Sequence, residues 1–126
     1  MSSPLKILHV EDDPDILEVA KLALEVVGGF EVLQCSSGAA ALEQASGFGP
    51  DVFLLDMMMP EMSGEQVLAN LRKDNQFDDV PAIFMTARAQ ASEVEALKAS
   101  GAIEVIVKPF DPMTLADQIK EALSRA

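Results

Sequence analysis

The sequence predicts an α/β domain in which five βα units wind around a parallel sheet. Three observations carry this prediction. Five short, mostly apolar runs alternate with longer segments of helical spacing, and each junction is punctuated by Gly, Pro or a capping residue. Four of the runs stop at a polar group: Glu11-Asp12, Asp56, Thr86 and Lys108. In an open parallel sheet the strand ends of one edge line a common crevice, so these groups are expected to meet.

The first strand, Lys6–Val10, runs apolar into Glu11-Asp12-Asp13. Asp13 before Pro14 sets an N-cap carboxylate ahead of a proline at the first helical position. Ile16, Val19, Ala20, Ala23, Leu24 and Val27 then fall on one helical stripe, which Gly28-Gly29 stops. A second strand over Glu31–Cys35 is followed by a short Ala-rich helix from about Gly38 to Ala45.

The third strand, Val52–Asp56, opens into the loop Met57-Met58-Met59-Pro60. Ser63 and Gln66 have the spacing of a capping box and start the third helix. The fourth strand is Ala82–Thr86, and Ser92 with Glu95 repeats the capping spacing for the fourth helix. That helix has only Val94 and Leu97 as strong apolar anchors, so it is expected to be the least firmly docked. The fifth strand, Glu104–Val107, ends at Lys108-Pro109; Asp111-Pro112 repeats the Asp-Pro start, and the last helix buries Leu115, Ile119, Ala122 and Leu123. The first, third and fourth strands are almost wholly apolar and belong at the centre, covered on both faces. No repeat or linker interrupts the pattern, so residues 1–126 read as a single domain.

Composition sets outer limits on function. With 49% hydrophobic and 24% charged residues the chain is globular, and its 126 residues suffice for one substantial core. Twenty-one acids against nine bases give a net charge of −12 with no Lys/Arg cluster, which argues against direct binding of nucleic acid. No apolar stretch approaches the roughly 20 residues of a membrane span. The start Met1-Ser2-Ser3-Pro4 has no signal-peptide character, so a cytoplasmic location is expected. Cys35 is alone and reads as a small buried strand residue.

Taken singly, the polar strand ends have ordinary readings. Asp56 would cap a loop amide, Lys108 would be a solvated lysine whose stem lies along the surface, and Thr86 would be a β-branched strand terminus. Brought together they acquire chemistry. Glu11, Asp12 and Asp56 would raise one another's pKa unless a cation offset them. Mg²⁺ suits such a set, since it takes oxygen ligands and needs only one or two carboxylates plus a phosphate. Zn²⁺ does not, because Cys35 and His9 lie outside the cluster. Asp13 already has work as the N-cap, which leaves Glu11 and Asp12 as the ligand pair. Lys108 would hold a phosphoryl oxygen and Thr86 would donate to another, so a nucleophile, a metal and charge-stabilising donors stand together.

Four pieces carry a resemblance to a known family: Ile7-Leu8-His9-Val10-Glu11-Asp12-Asp13, Asp56-Met57-Met58-Met59-Pro60-Glu61-Met62-Ser63-Gly64, Met85-Thr86-Ala87-Arg88 and Val107-Lys108-Pro109-Phe110. In order and spacing the chain closely resembles the receiver domain of bacterial two-component response regulators, of the single-domain chemotaxis type, along nearly its whole length. The resemblance implies a flavodoxin-like fold with strand order 2-1-3-4-5. It implies that Asp56 accepts a phosphoryl group from a partner histidine kinase or histidine phosphotransfer protein. Asp12, Asp56 and the backbone carbonyl of Met58 would bind Mg²⁺ directly, with Glu11 acting mainly through water. Thr86, Lys108 and the backbone at Ala87 and Met58 would meet the phosphoryl group. A cis Lys108-Pro109 bond is also implied. Such a protein is not an enzyme in the ordinary sense, although it assists its own phosphorylation and dephosphorylation.

One position departs from a common family pattern. Three residues before the lysine, where an aromatic residue often turns inward with the threonine, this chain has Val105. A switch built on Thr86 must then work without a rotating ring. The competing enzyme class, Mg²⁺-dependent phosphotransferases of the haloacid-dehalogenase type, places a second Asp two residues after the nucleophile; Met58 stands there instead. A receiver-like module that is never phosphorylated is disfavoured because every expected site residue is present.

The remaining signals read as structure. His9 lies inside a central strand and reads as a packed residue. The Met-rich loop reads as packing around the site rather than an adaptable binding surface. Glu93, Glu95 and Lys98 read as a solvated helix face. With no output region following, signalling is expected to pass by protein contact, by phosphorelay, or through a region outside this chain. The expected readout surface is the fourth helix, fifth strand and fifth helix.

Overall fold

The computed structural model describes residues 4–87 and 90–125; Arg88 of the third matching piece and the Met1-Ser2-Ser3 start lie outside the described residues. Five strands form one parallel sheet in the order β2-β1-β3-β4-β5. They are β1 (Lys6–Val10), β2 (Glu31–Cys35), β3 (Val52–Asp56), β4 (Ala82–Thr86) and β5 (Ala102–Val107). The three apolar strands are indeed the inner ones. Alternate residues point to opposite faces, so each inner strand feeds two cores.

On one face Leu8, Val10, Phe53, Leu55 and Phe84 pack under α2 (Gly38–Phe48) and α3 (Gly64–Leu71), joined by Leu97 of α4 (Ala91–Ala99). Phe53 meets Phe77 edge to face with ring centroids 5.7 Å apart. On the other face Ile7, Leu54, Ile83, Met85 and Ile106 pack under α1 (Pro14–Lys21) and α5 (Leu115–Arg125). Helices on both faces make the sheet doubly wound, as a parallel sheet requires.

Several local expectations hold in detail. The Asp13 carboxylate accepts from the amide of Asp15, and Ser63 and Gln66 form a reciprocal capping box. Asp111 repeats the device, its carboxylate accepting from Met113, although the regular helix starts only at Leu115. Gly28 is needed for close approach: a Cβ there would stand 2.7 Å from that of Ala116 on α5.

Others require correction. The stripe on the first helix does not stay buried to its end. Val19 is already exposed within α1, and beyond Lys21 the chain widens into a π-helical turn over Leu22–Val27, which shifts the later residues around the axis and leaves Val27 exposed. Ser92 is not the cap of α4, because the helix starts at Ala91 after Gln90, with no side-chain cap bond. α2 continues past Ala45 to Phe48, whose ring packs on the first core, and ends at Gly49 with φ +68. β5 starts at Ala102 rather than Glu104, since a register irregularity pairs Ala82 with Ala102 and Ile83 with Glu104, passing over Ile103. Leu97 is the sole buried side chain of α4 among the described residues, consistent with its expected light docking.

Candidate functional site

Strand register places the acidic groups. Val10 pairs with Leu55, so the next residues, Glu11 and Asp56, emerge side by side where β1 and β3 end. On the far side Thr86 pairs with Val107, and the amide of Lys108 donates to the Thr86 carbonyl at 2.8 Å. The ladder also continues at Glu11, whose amide donates to the Cys35 carbonyl. The four polar strand ends thus share one edge, although up to 97 residues separate them in sequence.

Glu11, Asp12 and Asp56 each offer a carboxylate oxygen within 4.8 Å of the others; Glu11 and Asp56 are buried and Asp12 is exposed. The Lys108 ammonium donates to Glu11 Oε1 at 2.6 Å and to Asp56 Oδ1 at 2.7 Å. The Lys108-Pro109 bond is cis. Thr86 is buried at the end of β4, Ala87 is exposed beside it, and the Met58 amide lies 3.4 Å from Asp56 Oδ1. Thr86 faces a neighbouring cleft that shares Met58, while Glu11, Asp12, Asp56, Met58, Ala87 and Lys108 frame an acidic cavity of about 230 Å³, which Ile16 and Asp13 also line. An apolar groove of about 370 Å³, walled by Ile16, Val19, Pro109 and Phe110, adjoins it through Ala87 and Lys108.

The electrostatics follow from burial and neighbours. Burial pushes the Glu11 carboxyl up; the Lys108 hydrogen bond opposes this, the hydrogen bond and charge of Asp56 reinforce it, and the group settles at about 7. Desolvation alone would depress the Lys108 ammonium, but its hydrogen bonds to Asp56 and Glu11 and their charges outweigh it and raise its pKa. The cluster is therefore a set of hard oxygen donors crowded against a single ammonium. That donor set fits a small divalent cation, which would relieve the crowding that Lys108 relieves only in part.

His9 is fully buried, as expected, and its tautomer can be deduced. The Gln34 side-chain nitrogen donates to the Leu17 carbonyl at 2.7 Å and lies 3.2 Å from His9 Nδ1. Nδ1 therefore accepts, and the proton sits on Nε2, which has no hydrogen-bond partner among the described residues. Burial, helped by the charge of Lys108 and opposed by Asp56, lowers its pKa to about 4, so the ring is neutral at pH 7.

Gly64 belongs to the site although the sequence assigned it no task. A Cβ there would stand 2.4 Å from the Asp56 carbonyl oxygen, so the start of α3 is pressed against the end of β3. The available signal was a glycine directly after the Ser63 cap, a place where only a missing side chain allows such closeness. Gly64→Ala is expected to cost about 1–3 kcal/mol by forcing these backbones apart; urea unfolding measures it, and an unchanged midpoint would contradict the contact. The Met-rich loop splits between packing and exposure: Met57 is buried, Met59 and Met62 pack on the first core, and Met58 is 70% exposed.

Residues 7–120 match the family described as the response regulator receiver domain. The chain belongs to that family. It is 31% identical over 125 residues to the response regulator Rre1 of Synechocystis sp., covering 99% of this chain and 54% of Rre1. It is 32% identical over 120 residues to the DNA-binding dual master transcriptional regulator RpaA of the same organism, covering 95% of this chain and 49% of RpaA. The chain thus spans about half the length of these curated relatives. Among solved structures, the chemotaxis response regulator CheY4 of Vibrio cholerae superposes with a TM-score of 0.88 at 29% identity, covering 95% of this chain and 99% of that one. The receiver fold with strand order 2-1-3-4-5 is thereby shown, and a DNA-binding regulator among the relatives narrows the expectation about nucleic acid to this domain alone. No helix among the described residues is long and apolar enough to cross a membrane.

Proposed function

We propose that this receiver is a phosphorylation-controlled switch in which Asp56 accepts a phosphoryl group from a phosphohistidine on a partner kinase or phosphotransfer protein. The observation that carries the reading is the Lys108 ammonium held between Asp56 and Glu11. An Asp56 oxygen forms the new P–O bond as the P–N bond to the partner's imidazole breaks. The ammonium then turns from the carboxylates to a phosphoryl oxygen, Thr86 donates its hydroxyl to another, and backbone at Ala87 and Met58 completes the cradle. Asp12, Asp56 and the Met58 carbonyl, with Glu11 through water, would hold Mg²⁺, whose charge stabilises the transferring phosphoryl group.

The switch works through Thr86, the loop after it and the lightly docked α4. Phosphorylation adds negative charge to the crevice and biases two conformations separated by a few kcal/mol. At Val105, half-buried against the first core, there is no ring to rotate. Val105→Tyr is therefore expected to change partner affinity more than the rate of phosphorylation; paired binding and phosphorylation assays giving the reverse order would remove Val105 from the switch.

Within this reading residues 1–126 act as one cytoplasmic domain that signals by protein contact, by phosphorelay or through regions outside this chain. The domain itself, at −12, makes no contact with nucleic acid. Phosphotransfer from acetyl phosphate with Mg²⁺, read by intact mass on wild type and Asp56→Asn, tests the assignment.

A further inference from the structure

The thioether of Met58 occupies a place that the phosphoacceptor chemistry leaves without a task. Met58 lines the acidic cavity that holds Asp56 and Lys108, and it also lines a second cleft of about 250 Å³ that holds Thr86, Glu93 and Leu97. Met58 is therefore shared by the phosphoryl crevice and by the cleft that Thr86 lines with α4. Met58 is 70% exposed and Met113 is 67% exposed, whereas Met57 and Met85 are buried and Met59 and Met62 are packed against the core. Met58 and Met113 are thus the most exposed methionines among the described residues, and of these two only Met58 adjoins the site.

We propose that Met58 is an oxidation site through which hydroperoxides shorten the life of the phosphoryl group on Asp56. This inference rests on the phosphoacceptor reading above. The sulfur lone pair attacks one peroxide oxygen; an S–O bond forms, the O–O bond breaks, and after proton transfer the departing oxygen leaves as water from hydrogen peroxide or as an alcohol from an organic hydroperoxide. Sulfur is oxidised by two electrons and the peroxide is reduced. Hydrogen peroxide carries no charge, so the acidic crevice does not repel it as it would an anion.

Oxidation replaces an apolar wall by a polar sulfoxide. Its oxygen accepts hydrogen bonds but donates none, so it offers nothing to phosphoryl oxygens and instead orders water beside them. Water is the nucleophile that cleaves an acyl phosphate. Replacing a water-shedding group by a water-ordering one within the same cavity therefore speeds loss of the phosphoryl group.

The test treats the full chain with hydrogen peroxide, maps sulfoxide by peptide mass, then phosphorylates with acetyl phosphate and Mg²⁺ and follows decay of the adduct by intact mass. Wild type, Met58→Leu and Met113→Leu are each compared with themselves before and after oxidation. Decay is expected to quicken about three-fold or more in wild type and Met113→Leu, to stay constant in Met58→Leu, and to return on treatment with methionine sulfoxide reductase. Unchanged decay with Met58 fully oxidised, or a thioether at Met58 when Met113 is already sulfoxide, overturns the inference while leaving the phosphoacceptor assignment intact. Absence of any adduct in the untreated protein overturns both.

Discussion

Asp56→Asn is expected to abolish the hydroxylamine-labile phosphoryl adduct that wild type forms with acetyl phosphate and Mg²⁺. The amide keeps the shape of the side chain but has no anionic oxygen to form the P–O bond, so the loss should be complete at the sensitivity of intact mass. The fold should survive. Lys108 retains its bond to Glu11, and Glu11 loses a like-charged neighbour, which offsets part of the attraction removed. Circular dichroism on the variant separates loss of chemistry from loss of structure. An adduct of equal yield in both proteins, or in neither, would sink Asp56 as the acceptor.

Stability without added metal is expected to be level between about pH 4.5 and 6.5 and then to fall toward pH 8. Two buried groups produce this shape by opposing each other. Glu11 is raised from 4.5 to about 7 by burial, so the folded state holds a proton that the unfolded chain has lost. Its contribution is full below 4.5 and is lost as pH rises through 7, with a limiting slope of about 1.4 kcal/mol per pH unit. His9 is lowered from 6.5 to about 4, again chiefly by burial, so its contribution is full above 6.5 and is lost as pH falls through 4. The slopes cancel where the two windows overlap, and above 6.5 only the end of the Glu11 window remains, so the fall is shallow and levels off once pH has passed through about 7. Lys108, with its pKa raised, contributes fully below 10.5 and does not bend the curve here.

Urea midpoints across this range measure the curve. His9→Val removes one of the opposing slopes, so stability in that variant should fall steadily from about pH 4.5 instead of holding level. Mg²⁺ should raise the midpoint more at pH 8 than at pH 5.5, because a cation bound by the carboxylate cluster favours its deprotonated form. A wild-type curve that climbs between pH 6.5 and 8 would contradict the buried, proton-holding state of Glu11.

The ends of β1, β3 and β4 were legible because each is an apolar run cut off by a charge or a hydroxyl, and burial on two faces leaves little freedom in where such a run stops. The site was legible for the same reason: a parallel sheet converts four strand ends into one place, with no knowledge of side-chain geometry needed. Where tertiary packing overrode local pattern, the reading strayed. Ser92 and Glu95 have capping spacing, yet the chain turns helical two residues earlier, after Gln90. The Ala-rich second helix was expected to end at about Ala45, but Phe48 finds cover on the core and the helix runs on to it. The His9 tautomer and the raised Glu11 carboxyl depend on atoms from other strands and helices, and no spacing along one segment encodes them.

The wide turn at the end of α1 has a consequence for the crevice at the opposite edge. The Gly28 amide reaches back five residues to the Ala23 carbonyl, so one more residue is taken up than a regular turn would hold. Immediately afterwards β2 pairs with β1 residue for residue from Glu31 to Cys35 without a shift. The surplus length is absorbed as slack in a surface helix, and the sheet beside it stays in step. The cost falls on Leu22, Val26 and Val27, which are left in water. What is gained is insulation: the position of Glu11 and Asp12 is set by the ladder of β1 with its neighbours and is indifferent to how many residues α1 needs to cross the face.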